Sequence, residues 1–525
     1  MSRDLIVGLD SGTSVSKAVA FDLDGRQLAE SGEPNLYRRD ASGTAVEQDM
    51  AETWQRAARV LRALGDKIEN LNGRIAALAV TGQGDGTWLI DAAGEPVAPA
   101  WLWLDSRAAP IVEEFAANGV RAAVFRFTGC GMNASNQSGH LVWLKRERPE
   151  ILERAATALH CKDWLYYKLT GTRATDMSEG VFTFGDFRRR TYAEEVTDAL
   201  GLAAERRLLP ELVDGTLRHD SLTDEASAAT GLVAGTPVVL GYVDVVCSAL
   251  GGGLYTPDGA AALTIVGSTG MHMTLAPTSA VELAAEPSGY TMAFPVPGMT
   301  SRMQSNMAGT LNIDWIVGLA CQAVERAGHQ PSRQAMLAAL DGAVLEAAPG
   351  AALYHPYIDR AGERGPFFDA RARAQFFGLS NAAGLGELVR AVYEGLGFAA
   401  RDCYGAMGCR PREIRVTGGA ARSTALKRIL ASVMQHPVRE SNRGEAGAAG
   451  AAMIAGVAIG AFADMDEACR RWVEPTLSET IAPDPDLKPL YDGLFDLYLE
   501  LRRAAPPHWA RLAETRANGM RMGQA

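Results

Sequence analysis

Two apolar runs open the chain, Leu5-Ile6-Val7 and Ala18-Val19-Ala20-Phe21, separated by a short polar segment. Their alternation and β-branched content predict two strands joined as a hairpin, with Asp10, Ser11, Gly12, Thr13 and Ser14 at its tip. A helical period follows near 48–65. A continuous apolar run from Ile75 to Val80 then predicts a buried strand ending in Thr81-Gly82-Gln83-Gly84-Asp85-Gly86. Helical stretches are expected around 108–118, 138–146 and 159–169. The run TPVVLGYVD, residues 236–244, reads as a strand that ends in Asp244. At 261–270, AALTIVGSTG repeats the opening theme, an apolar strand that ends in small hydroxyl residues. After a long helix-rich stretch, IRVTGGA at 414–420 makes a third strand-to-glycine unit, and the tail from about 483 reads as a proline-started amphipathic helix.

Alternating β and α elements argue for an α/β fold with helices covering its sheets. In such folds ligands lie beyond the carboxyl ends of strands. Asp10, Gln83, Asp85, Asp244, Ser268 and Gly418 all fall just beyond predicted strand ends. One architecture is used twice, and 525 residues call for two domains or more.

The net charge of −11 argues against a nucleic-acid partner, since Arg188-Arg189-Arg190 and Arg470-Arg471 are short runs that read as solvated faces. The cysteines are scattered, with no C-x-x-C pair, which fits reduced thiols in the cytoplasm. The N-terminus enters a strand directly, so no export signal is read. Residues 446–463 are uncharged, but their Ala and Gly content favours a buried helix packed closely on a sheet over a membrane span.

Small hydroxyl residues at a hairpin tip have two readings: an ordinary turn, or a cradle of backbone N–H groups and hydroxyls for phosphate. No lysine follows a glycine, so a Walker-type loop is excluded. Neither a G-x-S-x-G elbow nor an H-E-x-x-H zinc site is present. What remains is two hydroxyl-rich turns, one per half, and a Gly-Gly turn where a purine could lie on bare backbone. Such clamps could hold a triphosphate between two lobes, with Asp10 approaching Mg2+ through water. This predicts a two-domain actin-like (ribonuclease H-like) ATPase fold with a cleft between the lobes.

At this point the motifs resemble the FGGY carbohydrate kinases over roughly residues 5 to 465. GLDSGTSVSKAVAFD resembles the family's first phosphate loop, VTGQGDG with WLWLDSRA its sugar-contact segment, and KDWLYYKLTGTRATDMSEG the run that follows. GTPVVLGYVD is similar to the strand carrying the catalytic aspartate, GSTG to the second phosphate loop and VTGGAARS to the adenosine motif. The most specific piece is AQFFGLSNAAGLGELVRAVYEG at 374–395, which resembles the C-terminal signature; HPYIDRAGERGPFFD adds the Gly-Glu-Arg stretch.

The resemblance implies ATP-dependent phosphorylation of a small polyol or sugar, with Mg2+, and assigns roles to residues. Asp244 is the general base. Gln83, Asp85, Trp103, Ser135 and Asn136 face the substrate. Gly12, Thr13, Ser14 and Lys17 on one side and Gly267, Ser268, Thr269 and Gly309 on the other hold phosphates. Gly418, Gly419, Ala420 and Ser423 meet the adenosine, while Arg364 and His140 stay unassigned. An N-terminal domain is expected over 1–250, a C-terminal domain over 251–470 and a helical tail over 471–525. Hinge closure would bring base and nucleotide together. Many members form dimers, so a homodimer is one assembly the resemblance implies. Where glycerol kinases carry Arg-Glu and xylulokinases Met-His, this chain has Gly84-Asp85; the usual Gly-Asp-Gln reads Val243-Asp244-Val245 and a common lysine is His140. The segment is most similar to the branch that phosphorylates erythritol. A kinase of a pentulose such as xylulose, or of another polyol, is the alternative; from another class, an actin-fold ATPase without a sugar substrate.

Overall fold

In the computed structural model, which describes residues 3–257, 261–284 and 286–522, the strands in chain order are Leu5–Ser11 (β1), Val15–Asp22 (β2), Gln27–Pro34 (β3), Ile75–Gly82 (β4), Asp220–Ser221 (β5), Pro237–Leu240 (β6), Ala261–Val266 (β7), Gly270–Pro277 (β8), Glu413–Thr417 (β9) and Val438–Glu440 (β10), among shorter ones. The helices used below are Met50–Gly65 (α1), Gln137–Glu147 (α2), Cys161–Thr170 (α3), Met177–Phe184 (α4), Asp244–Gly251 (α5), Thr310–Arg326 (α6), Leu385–Ala406 (α7), Thr424–Met434 (α8), Ala446–Ala458 (α9) and Lys488–Ala504 (α10). Two compact units form. The first is Met1–Gly259 with Leu275–Arg302 and Arg443–Thr476; the second is Ala260–Thr274 with Met303–Asn442 and Leu477–Ala525.

The first unit is built on a six-stranded sheet in the order β5-β6-β4-β1-β2-β3, with β1 antiparallel to β2 and parallel to β4. The two-residue period of β1 divides its side chains between the faces. Leu5, Val7 and Leu9 join a core with Val60, Leu61 and Leu64 of α1 and Trp164 and Leu165 of α3. Ile6, Gly8 and Asp10 face α9 instead: a Cβ on Gly8 would collide with the Ala448 carbonyl, and one on Gly447 with Asp10 Oδ2. Small residues therefore let α9 lie close on the sheet, as residues 446–463 predict. Among the described residues no helix is long and apolar enough to cross a membrane.

In the second unit β7 pairs antiparallel with β8 and parallel with β9, and β9 pairs parallel with β10. The long α7, which carries the end of the 374–395 signature, is its buried centre. There Arg390 Nε lies 2.8 Å from Glu394 Oε1, which also accepts from Tyr491 of α10 at 2.8 Å.

Two outlines differ from the sequence reading. β6 ends at Leu240, and Asp244 opens α5 rather than ending a strand. Gly241 leaves the ladder where its N–H donates to the Val80 carbonyl at 2.8 Å. The compact units also depart from boundaries at 250 and 470, because residues 443–476 return to the first unit's sheet while 477 onward stay with the second. α9 follows the second unit's strands in the chain yet covers β1 and β4.

Candidate active site

Asp10 leaves the end of β1 opposite Lys17 of β2. Lys17 Nζ pairs with Glu445 Oε1 at 2.6 Å, and Glu445 precedes α9 in a left-handed conformation, φ 48°. Asp10 Oδ1 is buried without a hydrogen-bond partner. Burial, reinforced by Glu445 and opposed by Lys17, pushes the Asp10 carboxyl up to about 6. Asp244, at the first position of α5, is raised well above the ordinary carboxylate range by burial, then by the charges of Asp10 and Glu179.

The segment around Gln83 and Asp85, expected to face the substrate, is held tightly. Asp85 sits at φ 54°, a left-handed backbone that a non-glycine residue seldom adopts. Its N–H donates to Glu179 Oε1 at 2.9 Å and its Oδ1 accepts from Asn136 Nδ2 at 2.6 Å. Asn136 precedes α2 and also accepts from the Asn133 N–H at 2.7 Å. Ser135 lends its carbonyl to the Gly86 N–H at 3.0 Å, while its hydroxyl turns back to Asn133 Oδ1 at 2.5 Å. Trp103 Nε1 donates to Thr13 Oγ1 at 2.6 Å, Thr13 donates to Gln83 Oε1 at 3.1 Å, and Gln83 Nε2 donates to Gln48 at 3.1 Å. Thr13 thus ties the first hydroxyl-rich turn to Gln83 and Trp103. Gly12 lends its carbonyl to Asn35 at 2.6 Å and its N–H to the Val15 carbonyl at 3.0 Å, and Ser14 is exposed. His140 is a buried neutral ring, its pKa lowered by burial to about 4, with Nδ1 3.0 Å from Thr87 Oγ1.

Behind this segment lies a buried ionic cluster that the sequence reading did not single out. Lys162 Nζ is 2.6 Å from Asp163 and 2.8 Å from both Asp176 and Glu179. His160, Asp163 and Glu179 are close enough together to hold a metal ion, but the Lys162 ammonium already supplies the cation there. Burial raises the Glu179 carboxyl to about 7, with His160 and Lys162 acting against the rise.

In the second unit, Gly267, Ser268 and Thr269 turn between β7 and β8, and Ser268 is exposed. The N–H groups of Gly309 and Thr310, where α6 begins, donate to the carbonyls of Ser268 and Gly267 at 2.7 Å each. A Cβ on Gly309 would stand 2.5 Å from the Gly267 carbonyl oxygen, so glycine is required for this approach. Glu363 accepts from the Met307 and Arg364 N–H groups at 2.8 Å each, and Arg364 donates to Ser305 Oγ at 2.7 Å. The Gly-Glu-Arg stretch thereby shapes the segment leading to Gly309. Gly418 has φ 96°, and a Cβ there would lie 2.7 Å from the Val266 carbonyl oxygen. Gly419 is exposed with open space beside its Cα, and Ala420 is half-buried. Ser423 caps α8, accepting from the Leu426 N–H at 2.9 Å, and donates to Asp341. A cavity of about 20 Å³ between Val266, His272, Asn306, Gly309 and Leu426 has room for roughly one water.

Within the first unit, Asp10, Lys17, Gln83, Asp85, Trp103, Ser135, Asn136, Asp244 and the turn 12–14 are joined by hydrogen bonds or by mutual charge. Within the second, Gly267 to Thr269 meet Gly309 directly and Gly418 through Val266, while Ser423 is engaged as a helix cap. Glu445 and Glu179 escape a reading of the sequence because each acts on a residue far off in the chain.

The model of the FGGY family of carbohydrate kinases, N-terminal domain, matches residues 5–251, and that of the C-terminal domain matches residues 262–459. The chain is 50% identical over 510 residues to an erythritol kinase of Brucella abortus (strain 2308), covering 97% of this chain and 98% of that one. It is 30% identical over 465 residues to a xylulose kinase of Escherichia coli (strain K12), covering 86% and 90%. Among solved structures, a xylulose kinase from Rhodospirillum rubrum superposes with a TM-score of 0.85 at 26% identity, covering 96% of this chain and 100% of that one.

Proposed function

The chain belongs to the FGGY family of carbohydrate kinases, and from that premise we propose that it transfers the γ-phosphoryl group of ATP to a hydroxyl of erythritol. The high identity to the Brucella abortus erythritol kinase supports that substrate. One observation in the first unit carries the reading: Asp85, fixed between Asn136 and Glu179, lies in the same charge cluster as Asp244. A polyol offers hydroxyl donors throughout, and an ionised carboxylate accepts two or more of them.

In this mechanism Asp85, with Gln83 and Asn136, orients the polyol. Asp244 accepts the proton of the attacking hydroxyl as its oxygen bonds to phosphorus and the bond to the ADP oxygen breaks. Burial and neighbouring charge make Asp244 a stronger base than an exposed aspartate, suiting it to an alcohol proton. The buried, unpartnered Asp10 Oδ1 fits a hydrated Mg2+, which would screen phosphate charge when bound. The second unit's turn at 267–269 and the glycines at 418–419 hold the nucleotide.

ADP release measured with erythritol, other tetritols, pentitols, glycerol and xylulose tests the proposal. Erythritol is expected to give the highest kcat/KM. A higher value with xylulose or glycerol, or ADP release that no polyol changes, overturns it.

A further inference from the structure

Two backbone amides in the first unit hang on consecutive residues of one helical turn. Asp176 caps α4, its side chain accepting from the Ser178 N–H at 2.5 Å. The Ser178 hydroxyl donates to Asp176 Oδ2 at 2.5 Å and accepts, at 3.0 Å, from the N–H of Val243, the residue before Asp244. The next residue, Glu179, accepts from the Asp85 N–H at 2.9 Å. Asp176 and Glu179 are both held from behind by Lys162. All four of these residues, Lys162, Asp176, Ser178 and Glu179, are fully buried. Gly84 completes the contact, for a Cβ there would stand 2.5 Å from Val243 Cγ2 and 3.2 Å from Glu179 Oε1.

We propose that the first turn of α4 is the positioning device of the site: Glu179 sets the polyol-binding Asp85, and Ser178 sets the Asp244 base, each through a backbone amide. The inference rests on the roles assigned above to Asp85 and Asp244. Neither Ser178 nor Glu179 need touch substrate. Because the two amides hang on adjacent residues of a capped, ion-paired turn, the spacing between substrate clamp and base is built into one rigid element. A left-handed Asp85 held at its N–H cannot relax without losing the Glu179 bond, and misplacing a reacting group by about 1 Å costs about 100-fold.

The two arms separate kinetically. Glu179→Ala is expected to raise the KM for erythritol about tenfold, with a smaller fall in kcat from the charge removed beside Asp244, and Ser178→Ala to lower kcat about tenfold with KM nearly unchanged. The KM for ATP stays constant in both. A merely structural cluster would lower the yield or melting temperature of both variants and leave kcat and KM per folded site alike. If Glu179→Ala does not fold, Glu179→Gln replaces it: with one acceptor oxygen for two donors, it raises KM in the same direction by a smaller factor. An erythritol KM equal to wild type in a folded Glu179 variant, or an unchanged kcat in Ser178→Ala, overturns the proposal. An unchanged KM in Asp85→Ala would instead remove the substrate role on which it rests.

Discussion

The two units carry the same hairpin with different chemistry. In the first, β1 and β2 enclose Gly12-Thr13-Ser14; in the second, β7 and β8 enclose Gly267-Ser268-Thr269, and each leading strand has a parallel neighbour, β4 or β9. Two residues before the glycine, the first hairpin has Asp10 and the second Ile265. The first turn is therefore wired into charge, through Asp10, Lys17 and Glu445, and into the substrate segment through Thr13. The second is wired into backbone, through Gly309 and Thr310. A hairpin tip alone supplies N–H groups and hydroxyls for phosphate; metal and proton chemistry needs carboxylates that the frame does not require. Asp10 and Asp244, the carboxylates proposed for it, both lie in the first unit.

Removing the proposed base gives the largest expected effect. Asp244→Asn should lower kcat by about 10²–10⁴-fold, the usual span for a lost general base, while nucleotide affinity, which the proposal assigns to the second unit's turns, stays near wild type. Stopped-flow or coupled ADP assays alongside nucleotide titration check both halves. Retained turnover would move the base elsewhere.

Asp10→Asn separates the charged hairpin from the uncharged one by stability. The Asp10 carboxyl is raised in the folded state from an ordinary 3.8 to about 6. The stability its neutral form contributes is thus fully present below about pH 4 and lost as pH rises through about 6. At pH 7.5 without Mg2+ the asparagine variant should melt higher than wild type, by at most about 3 kcal/mol at about 1.4 kcal/mol per pH unit of the rise. The gain should shrink toward pH 4. Added Mg2+ should raise the melting temperature of wild type and not of the variant. Equal curves at both pH values would show that Asp10 carries no such burden.

How far these features can be read from sequence depends on how locally they are made. The opening hairpin is legible because two apolar runs, Leu5 to Val7 and Ala18 to Phe21, flank the turn residues. Asp244 reads as a strand end because Val243 and Val245 continue an apolar run; its place at a helix start depends on Gly241 and the Ser178 bond to Val243. Glu445 reaches Lys17 across 428 positions, and nothing in the small-residue stretch of α9 says which sheet it covers. The 374–395 signature is the most recognisable segment, yet it builds the buried centre of the second unit around Arg390 and Glu394. Recognition and chemistry reside in different residues.

Gly309→Ala probes the uncharged hairpin. Its Cβ would meet the Gly267 and Thr269 carbonyls, so the turn must shift. We expect the KM for ATP to rise about tenfold with the KM for erythritol unchanged, the reverse of the Asp85 variants. A rise in both would mean that the turn also serves the substrate.

The smallest effect decides what Ser423 does. Its hydroxyl accepts from the Leu426 N–H and donates to Asp341, so its one proton is committed inside the second unit. A serine so occupied acts on nucleotide binding only through the place it gives α8. Ser423→Ala should cost about 1 kcal/mol of stability, the usual loss for an N-cap, and leave the KM for ATP within about twofold. Ser423→Asp, which restores a capping oxygen but sets a second carboxylate against Asp341, should recover little of that stability. Thermal melts check this. A rise in the KM for ATP with an unchanged melting temperature would instead place the hydroxyl on the adenosine.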